Sequence, residues 1–280
     1  SRTKTGFTAF GAFAVGGKAV SNNLVLNSKA LLQGPYQTSN SLMVDSLRVH
    51  NYIPTTEPYT AAPYNYVHKA YGGGESVPSF ATFDQPLNAD DIVDWVVVEL
   101  RSNPWVVVAT KTGLIQRDGN IVDLDGASNL SIQGVADGNY YIGIKHRNHL
   151  GVRTNATVFL NNTASALVDF TQLATAFDSS GIVKPVDPMK LITGTTYGLW
   201  SADVTFNRIV SFNGAANDKN AVLAAVGIST PNNVVLGYNR ADVNMNGFTL
   251  FNGAANDKNL ILANVGITTP NDILIGHTNN

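Results

Sequence analysis

DDIVDWVVVELRSNPWVVVATKTGLIQ, residues 90–116, decides the fold. It holds two long runs rich in Val, Ile, Leu and Trp, broken once by Asn103–Pro104, and neither run carries the spacing of a helical stripe. β-Branched and aromatic residues bounded by turn formers read as strands. The same signal recurs outward in GNIVDLDG (119–126), LSIQGV (130–135), GNYYIGIKHRN (138–148) and ATVFL (156–160), separated by Asp-Gly and Gly-Asn turns. Strands at short intervals with no helical pattern between them predict a mainly β fold, an antiparallel sandwich of the immunoglobulin-like or jelly-roll-like kind, over residues 28–175. Upstream of the quoted runs lies IPTTEPYTAAPYNYVHKAYGGGESVPSF (53–80). That is long for a loop in a compact domain, so it is either functional or pinned by its own packing.

The chain has 280 residues, enough for one large domain or two smaller ones. With 18 Lys and Arg against 20 Asp and Glu, and no basic run, it carries no nucleic-acid or anionic-membrane footprint. It has no Cys, which removes disulfides, thiolate zinc sites and a Cys nucleophile. No apolar run reaches the roughly 18 residues of a membrane span. SRTKTGF at the start does not have the shape of a signal peptide, so an exported protein is read here in its mature form.

Residues 1–27 form a segment apart, with Phe7, Phe10 and Phe13 interleaved among Gly and Ala. Apolar residues on both faces of an extended segment want cover on both sides, so it is expected to act as a strand-forming extension and not as a loose tail. A segment of this kind can add to the sheet edge of a neighbouring copy. A head-to-tail contact that does not close makes a filament. Residues 5–20 are therefore expected to bridge subunits, with the chain itself as the principal partner.

Beyond residue 175 come a connector (176–199, with Pro185 and Pro188) and a tandem repeat over 200–280, its units being 200–238 and 239–277. The second unit contains ADVNMNGFTLFNGAANDKNLILANVGITTPN (241–271) and the first ADVTFNRIVSFNGAANDKNAVLAAVGISTPN (202–232). From Asp203 and Asp242 onward, 20 of 30 aligned positions are identical. Each unit is a polar loop, a short helical pattern closed by Gly227 or Gly266, and a small apolar run. The two helices are expected to pack about a pseudo-twofold, burying Leu223, Val226, Leu262 and Val265.

The loops have a calcium pattern. Calcium takes oxygen ligands from closely spaced loop positions, with Gly at the sixth and an acidic residue arriving from the following helix. In the second loop Asp242, Asn244 and Asn246 stand at positions one, three and five, Gly247 at six and the Phe248 carbonyl at seven. Asp257 comes four residues late, so an insertion must bulge out. In the first loop Asp203, Thr205 and Asn207 fill the same places, Arg208 replaces the Gly, and Asp218 matches Asp257. Asp and Asn before a helix are also ordinary caps and turn formers, which gives Asp218 and Asp257 a second reading as N-caps. With two carboxylates per site the affinity belongs at the weak end, suited to the millimolar calcium outside cells.

The paired loop-helix unit resembles a dockerin, apart from the four-residue insertion. The wider chain, with GPY (34–36), IPTTEPY (53–59), IVDWVVVELR (92–101), LIQRDGNIVDLDG (114–126), GNYYIGIKHRNHLGV (138–152) and GLWSADV (198–204), resembles the C-terminal region of large secreted Bacteroidetes proteins of the hemagglutinin-like or adhesin-like type. The resemblance covers about residues 30–276 and implies secretion to the cell surface, a β-sandwich before a dockerin-like pair, and no enzymatic activity. It leaves the N-terminal segment unexplained.

Enzyme readings are weaker. His146 and His149 have HxxH spacing, but in a strand running into a turn they are expected to face opposite sides, leaving each a structural role. Asp94, Glu99, Asp118, Asp123 and Asp125 are candidate carboxylates for glycoside hydrolysis, with nothing to fix a pair. GGGE (72–75) lies in a loop and is a weak phosphate signal. Tyr52, Tyr59, Tyr64, Tyr66 and Tyr71 offer faces for a glycan or a protein partner. The expectation is a non-enzymatic extracellular structural or adhesive subunit stabilised by calcium, with a carbohydrate-binding module that meets glycans or host cell surfaces as the alternative.

Overall fold

The computed structural model describes residues 23–179 and 187–278. Phe7, Phe10 and Phe13, and Pro185 of the connector, lie outside the described residues. Among those described, the structure is mainly strand with three α-helices.

The chain lays down β1 (Leu24–Leu26) and β2 (Ser28–Lys29), then a small hairpin of β3 (Tyr36–Gln37) and β4 (Leu42–Met43), and a one-turn helix α1 (Ser46–Val49). After the Pro- and Tyr-rich excursion come β5 (Ile92–Asn103), β6 (Val106–Gln116), β7 (Asn120–Val122), β8 (Leu130–Ile132), β9 (Gly138–His146), β10 (His149–Arg153), β11 (Val158–Leu160) and β12 (Val168–Asp169). The main sheet runs β10-β9-β5-β6-β7-β2-β12, with β11 pairing β9 at its end.

β5 lies inside this sheet, and every residue from Ile92 to Arg101 is buried. A strand covered on both faces needs apolar residues at consecutive positions, which explains a run where an alternation would mark a half-exposed strand. Fully burying each of Val96, Val97 and Val98 is worth about 1.5–3 kcal/mol. The β5–β6 turn is set by Asn103, whose Oδ1 accepts the N–H groups of Trp105 (2.9 Å) and Val106 (3.1 Å).

Three expectations change at this level. The sheet is not wholly antiparallel, because β12 joins β2 in parallel, Val168 beside Ser28. The body starts before residue 28: β1 pairs β8, and Leu24 and Leu26 are fully buried, so the extension ends ahead of them. The 176–199 connector contains a hairpin of β13 (Lys190–Thr193) and β14 (Thr196–Gly198). It ends locked to the body, the Leu199 N–H donating to Leu31 O at 2.7 Å.

The long excursion is pinned. Tyr59 is fully buried and its hydroxyl donates to Trp95 O (2.7 Å), while the Trp95 indole donates to Pro54 O (2.8 Å). Glu57 accepts from Gly74 N, and Glu75 from Gly73 N and Thr112 N, so GGGE is a stapled turn.

The repeats contribute β15 (Ile209–Ser211), α2 (Asp218–Val226) and β16 (Val234–Leu236), then β17 (Phe248–Leu250), α3 (Asp257–Val265) and β18 (Ile273–Ile275). Their strands pair crosswise. Ile209 faces Ile275 in β15–β18, and the equivalent residues 39 positions on and 39 back, Phe248 and Leu236, face each other in β17–β16. That exchange is a pseudo-twofold. The helices approach within 8 Å between Cα atoms. Their buried apolar residues are Val222, Val226, Ile261 and Val265, whereas Leu223 and Leu262 are half-buried on the flank. Among the described residues no helix is long and apolar enough to cross a membrane.

Candidate cation site

Each repeat helix opens with an Asn cap. Asn217 Oδ1 accepts from Asn220 N (2.8 Å) and Asn256 Oδ1 from Asn259 N (2.9 Å). The caps are therefore these Asn residues and not Asp218 or Asp257, which are the first helical residues and turn their carboxylates back across the loops. Gly253 (φ 96°) and Ala255 (φ 52°) shape the inserted turn that delivers Asp257, and Gly214 and Ala216 repeat it.

In the second loop, Asp257 accepts from Val243 N and Leu250 N, both at 2.8 Å. Asp242 accepts from Asn246 N (3.1 Å) and Gly247 N (2.8 Å). Between them, Asn244 Oδ1 accepts from Asn246 N (3.1 Å) and Asn246 Oδ1 from Phe248 N (2.9 Å). The first loop repeats the pattern. Asp203 accepts from Asn207 N (3.0 Å) and Arg208 N (2.8 Å), Asp218 from Thr205 N (3.1 Å) and Ser211 N (2.8 Å), and Asn207 Oδ1 from Ile209 N (2.8 Å). Thr205 adds a hydroxyl donated to Asp218 at 3.3 Å. The sixth position takes a left-handed backbone in both loops, φ 89° at Gly247 and φ 69° at Arg208. Gly adopts it freely; Arg does so at a cost of about 1 kcal/mol.

The candidate residues named from the sequence are thus brought together, two carboxylates to a loop, all four of them buried. Burial first, and then Asp242, pushes Asp257 up to about 7; burial and then Asp218 push Asp203 up to about 7. Burial raises Asp218 and Asp242 to about 6, with Arg147 partly offsetting the effect at Asp242. Among the described residues no three acidic or imidazole side chains converge on one point, so each candidate site pairs two carboxylates with amide, hydroxyl and carbonyl oxygens. A carboxylate has about four lone-pair sites; each of these Asp side chains meets three backbone N–H groups, and Asp218 the Thr205 hydroxyl as well, so the free acceptor capacity lies on Asp203, Asp242 and Asp257 and on the loop amides and carbonyls. An all-oxygen set with two buried negative charges fits a hard divalent cation such as calcium.

The loops are docked on the body by a device that sequence reading missed. Arg147 and Asn148 form the β9–β10 turn, and Asn148 bridges the two repeats. Its carbonyl accepts from Ala202 N (2.9 Å) and Asp203 N (3.1 Å), while its Nδ2 donates to Arg240 O (3.1 Å) and Asp242 O (2.8 Å). One residue thus holds the equivalent Asp of both loops. Beside it, Asn264 donates to Ser201 O (2.8 Å), Gln33 donates to Asn264 Oδ1 (2.7 Å), and Ser201 N donates to Gln33 Oε1 (2.9 Å). The available signal was Asn264 itself, a polar residue where the first repeat has Ala225.

That turn also overturns the expected divergence of the two histidines. His146 and His149 are directly paired across the hairpin, with ring nitrogens Nδ1 and Nδ1 2.9 Å apart. His149 Nε2 accepts from Gly34 N (3.2 Å) and His146 Nε2 lies 3.1 Å from Asp94 Oδ2. The network fixes two neutral tautomers: His149 carries its proton on Nδ1 and His146 on Nε2. Burial holds both below the usual imidazole value. Burial alone would raise Asp94, but Arg147 (2.7 Å) and then His146 hold it at about 2. Tyr238 donates to its other oxygen at 2.5 Å.

The remaining carboxylates are engaged separately. Glu99 meets Arg101, Lys145 and the Tyr66 hydroxyl, Asp118 meets Asn120 and Lys29, Asp123 meets Lys111, and Asp125 meets Ser128. Of the tyrosines, Tyr59 is core, Tyr52 stacks on His50 (5.3 Å), Tyr64 meets Phe206 edge-on (5.1 Å), and Tyr71 is 78% exposed. No family model, curated protein or solved structure matches this chain.

Proposed function

We propose that this chain is a non-enzymatic, calcium-stabilised structural or adhesive subunit of an extracellular assembly, built from a sandwich-like body and a dockerin-like module. One observation carries the reading: two pairs of buried carboxylates occupy equivalent places in twofold-related loops and are answered chiefly by backbone N–H groups. Buried like charges raise each other's pKa and call for a counter-charge. Calcium supplies it through Asp242, Asn244, Asn246, the Phe248 carbonyl and Asp257 in the second loop, and less completely through Asp203, Thr205, Asn207 and Asp218 in the first. Its role is structural, tying loop to helix and, through Asn148, module to body. The resemblance to secreted adhesin-like chains agrees with a compartment of millimolar calcium.

The self-associating element is residues 5–20, carrying Phe7, Phe10 and Phe13. Sedimentation velocity of the full chain, in calcium and in chelator, beside a chain lacking residues 1–20, tests the reading. Large assemblies in calcium that disappear in the truncated chain support it. Assembly by the truncated chain, or a full chain that stays monomeric at every concentration in calcium, overturns the filament reading.

A further inference from the structure

A groove of about 250 Å³ opens at the end of the main sheet, between the segment that enters β11 and the segment that enters β12. Ala156, Ala166 and Ala174 leave it room, and Val158, Leu167 and Val168 make its surface apolar. Among the described residues β11 pairs only with β9 and β12 only with β2, so each keeps one edge without a ladder. Leu167 is 49% exposed, and Phe159, next to Val158 in β11, is 57% exposed. Open strand edges that carry exposed apolar side chains are templates for an added strand.

The sequence says what covers it. An apolar cavity of about 150 Å³ already holds a benzene ring, so this groove takes one phenyl ring and not a row of them. In an extended GFTAFGAFAVGG (6–17), Phe10 shares its face with Thr8, Ala12 and Ala14, whereas Phe7 and Phe13 project from the other. That is one ring between small residues, the shape the groove admits. The charges agree: Asp169 is the charged residue of the lining, and residues 1–22 hold Arg2, Lys4 and Lys18 with no Asp or Glu. Val25 lies parallel beside Ala164, and Ser28 beside Val168. Traced back from Leu24, the chain therefore leaves in the direction away from 166–169 and enters its own groove only by reversing. Its 22 preceding residues span up to about 70 Å, well beyond a radius of gyration of about 19 Å for a chain of this size. Resting on the reading of residues 5–20 as the self-associating element, we propose that this groove docks that segment of a second copy as an added strand, with Phe10 seated in it.

The chain has no Cys, so introduced thiols report the contact directly. Full-length Phe10→Cys and Ala166→Cys chains, mixed in calcium and oxidised with diamide, should link into a mixed dimer, whereas Phe10→Cys with Tyr71→Cys should not. Leu167→Glu changes a half-exposed side chain, so it should keep the wild-type melting temperature and weaken self-association in sedimentation velocity at least tenfold. Assembly of Leu167→Glu at wild-type concentrations, while the chain lacking residues 1–20 stays monomeric, overturns the groove and leaves the filament reading standing. A disulfide closed within one chain of the Phe10→Cys, Ala166→Cys double variant, with no mixed dimer, overturns the second copy as occupant. A full chain that stays monomeric at every concentration in calcium overturns both.

Discussion

Without a bound cation, the stability of this protein should fall as pH rises, which is opposite to the usual behaviour of an acidic residue. Asp257 is held at about 7 and Asp242 at about 6, against ordinary values near 3.8. Folded values above unfolded ones mean that the protonated carboxyls stabilise the fold below about pH 4, and that this contribution is lost as pH rises through 6 and 7. At about 1.4 kcal/mol per pKa unit, ionising Asp257 in the folded state is disfavoured by about 4 kcal/mol. That is a large part of a typical net stability of about 5–15 kcal/mol. For a chain of this size it corresponds to about 10 °C in melting temperature. A bound cation reverses the preference by holding both carboxylates ionised, so binding releases protons. His146 and His149, buried neutral below their usual value, act in the opposite direction below about pH 6.5, so the useful quantity is the difference between chelator and calcium at each pH. Differential scanning fluorimetry from about pH 5 to about pH 8 should show that gap widening with pH. A gap that is absent, constant or narrowing would refute the reasoning.

Three further outcomes follow from named contacts. Val222→Ala, at a fully buried site between helices, should cost about 2–3 kcal/mol in chemical denaturation, and Leu223→Ala on the flank clearly less; the reverse order would restore the packing face expected from the sequence. Asn148→Ala removes the donor to the buried Asp242 carbonyl and the part-buried Arg240 carbonyl and should cost about 1–3 kcal/mol, with faster amide exchange at Asp203 and Asp242 ahead of the main sheet. Long-range ¹H–¹⁵N NMR at about pH 7 should find His149 protonated on Nδ1 and His146 on Nε2, both neutral; a second proton on either ring would contradict the network derived from the Gly34 and Asp94 contacts.

Much of the body was legible because burial on both faces of β5 demands an unbroken Val-rich run, and Asn103 followed by Pro marks its turn. The candidate loops were legible because ligand spacing within one loop is a local property. Other errors were of three physical kinds. Leu24–Leu26 adjoins a Gly- and Ala-rich segment, and only its pairing with the distant Leu130–Ile132 shows that it belongs to the body. A two-residue hairpin turn makes i and i+3 cross-strand neighbours, so His146 and His149 meet where an uninterrupted strand would part them. On the helices, spacing of three picks out Leu223 with Val226, but the face that closes on the pseudo-twofold is spaced by four, Val222 with Val226 and Ile261 with Val265. The bridge from Asn148 to Asp242 spans 94 residues of sequence, and no local pattern announces it.

The central claim, that the paired Asp loops hold calcium, is tested most directly by native mass spectrometry of the full chain exchanged into millimolar calcium, beside Asp242→Ala and Asp257→Ala variants. The second-loop ion should appear as a calcium adduct that survives dilution in wild type and is missing from both variants, with the weaker first-loop ion titrating in at higher calcium. A wild-type mass free of calcium at millimolar concentration, or an adduct count that neither variant changes, would contradict it.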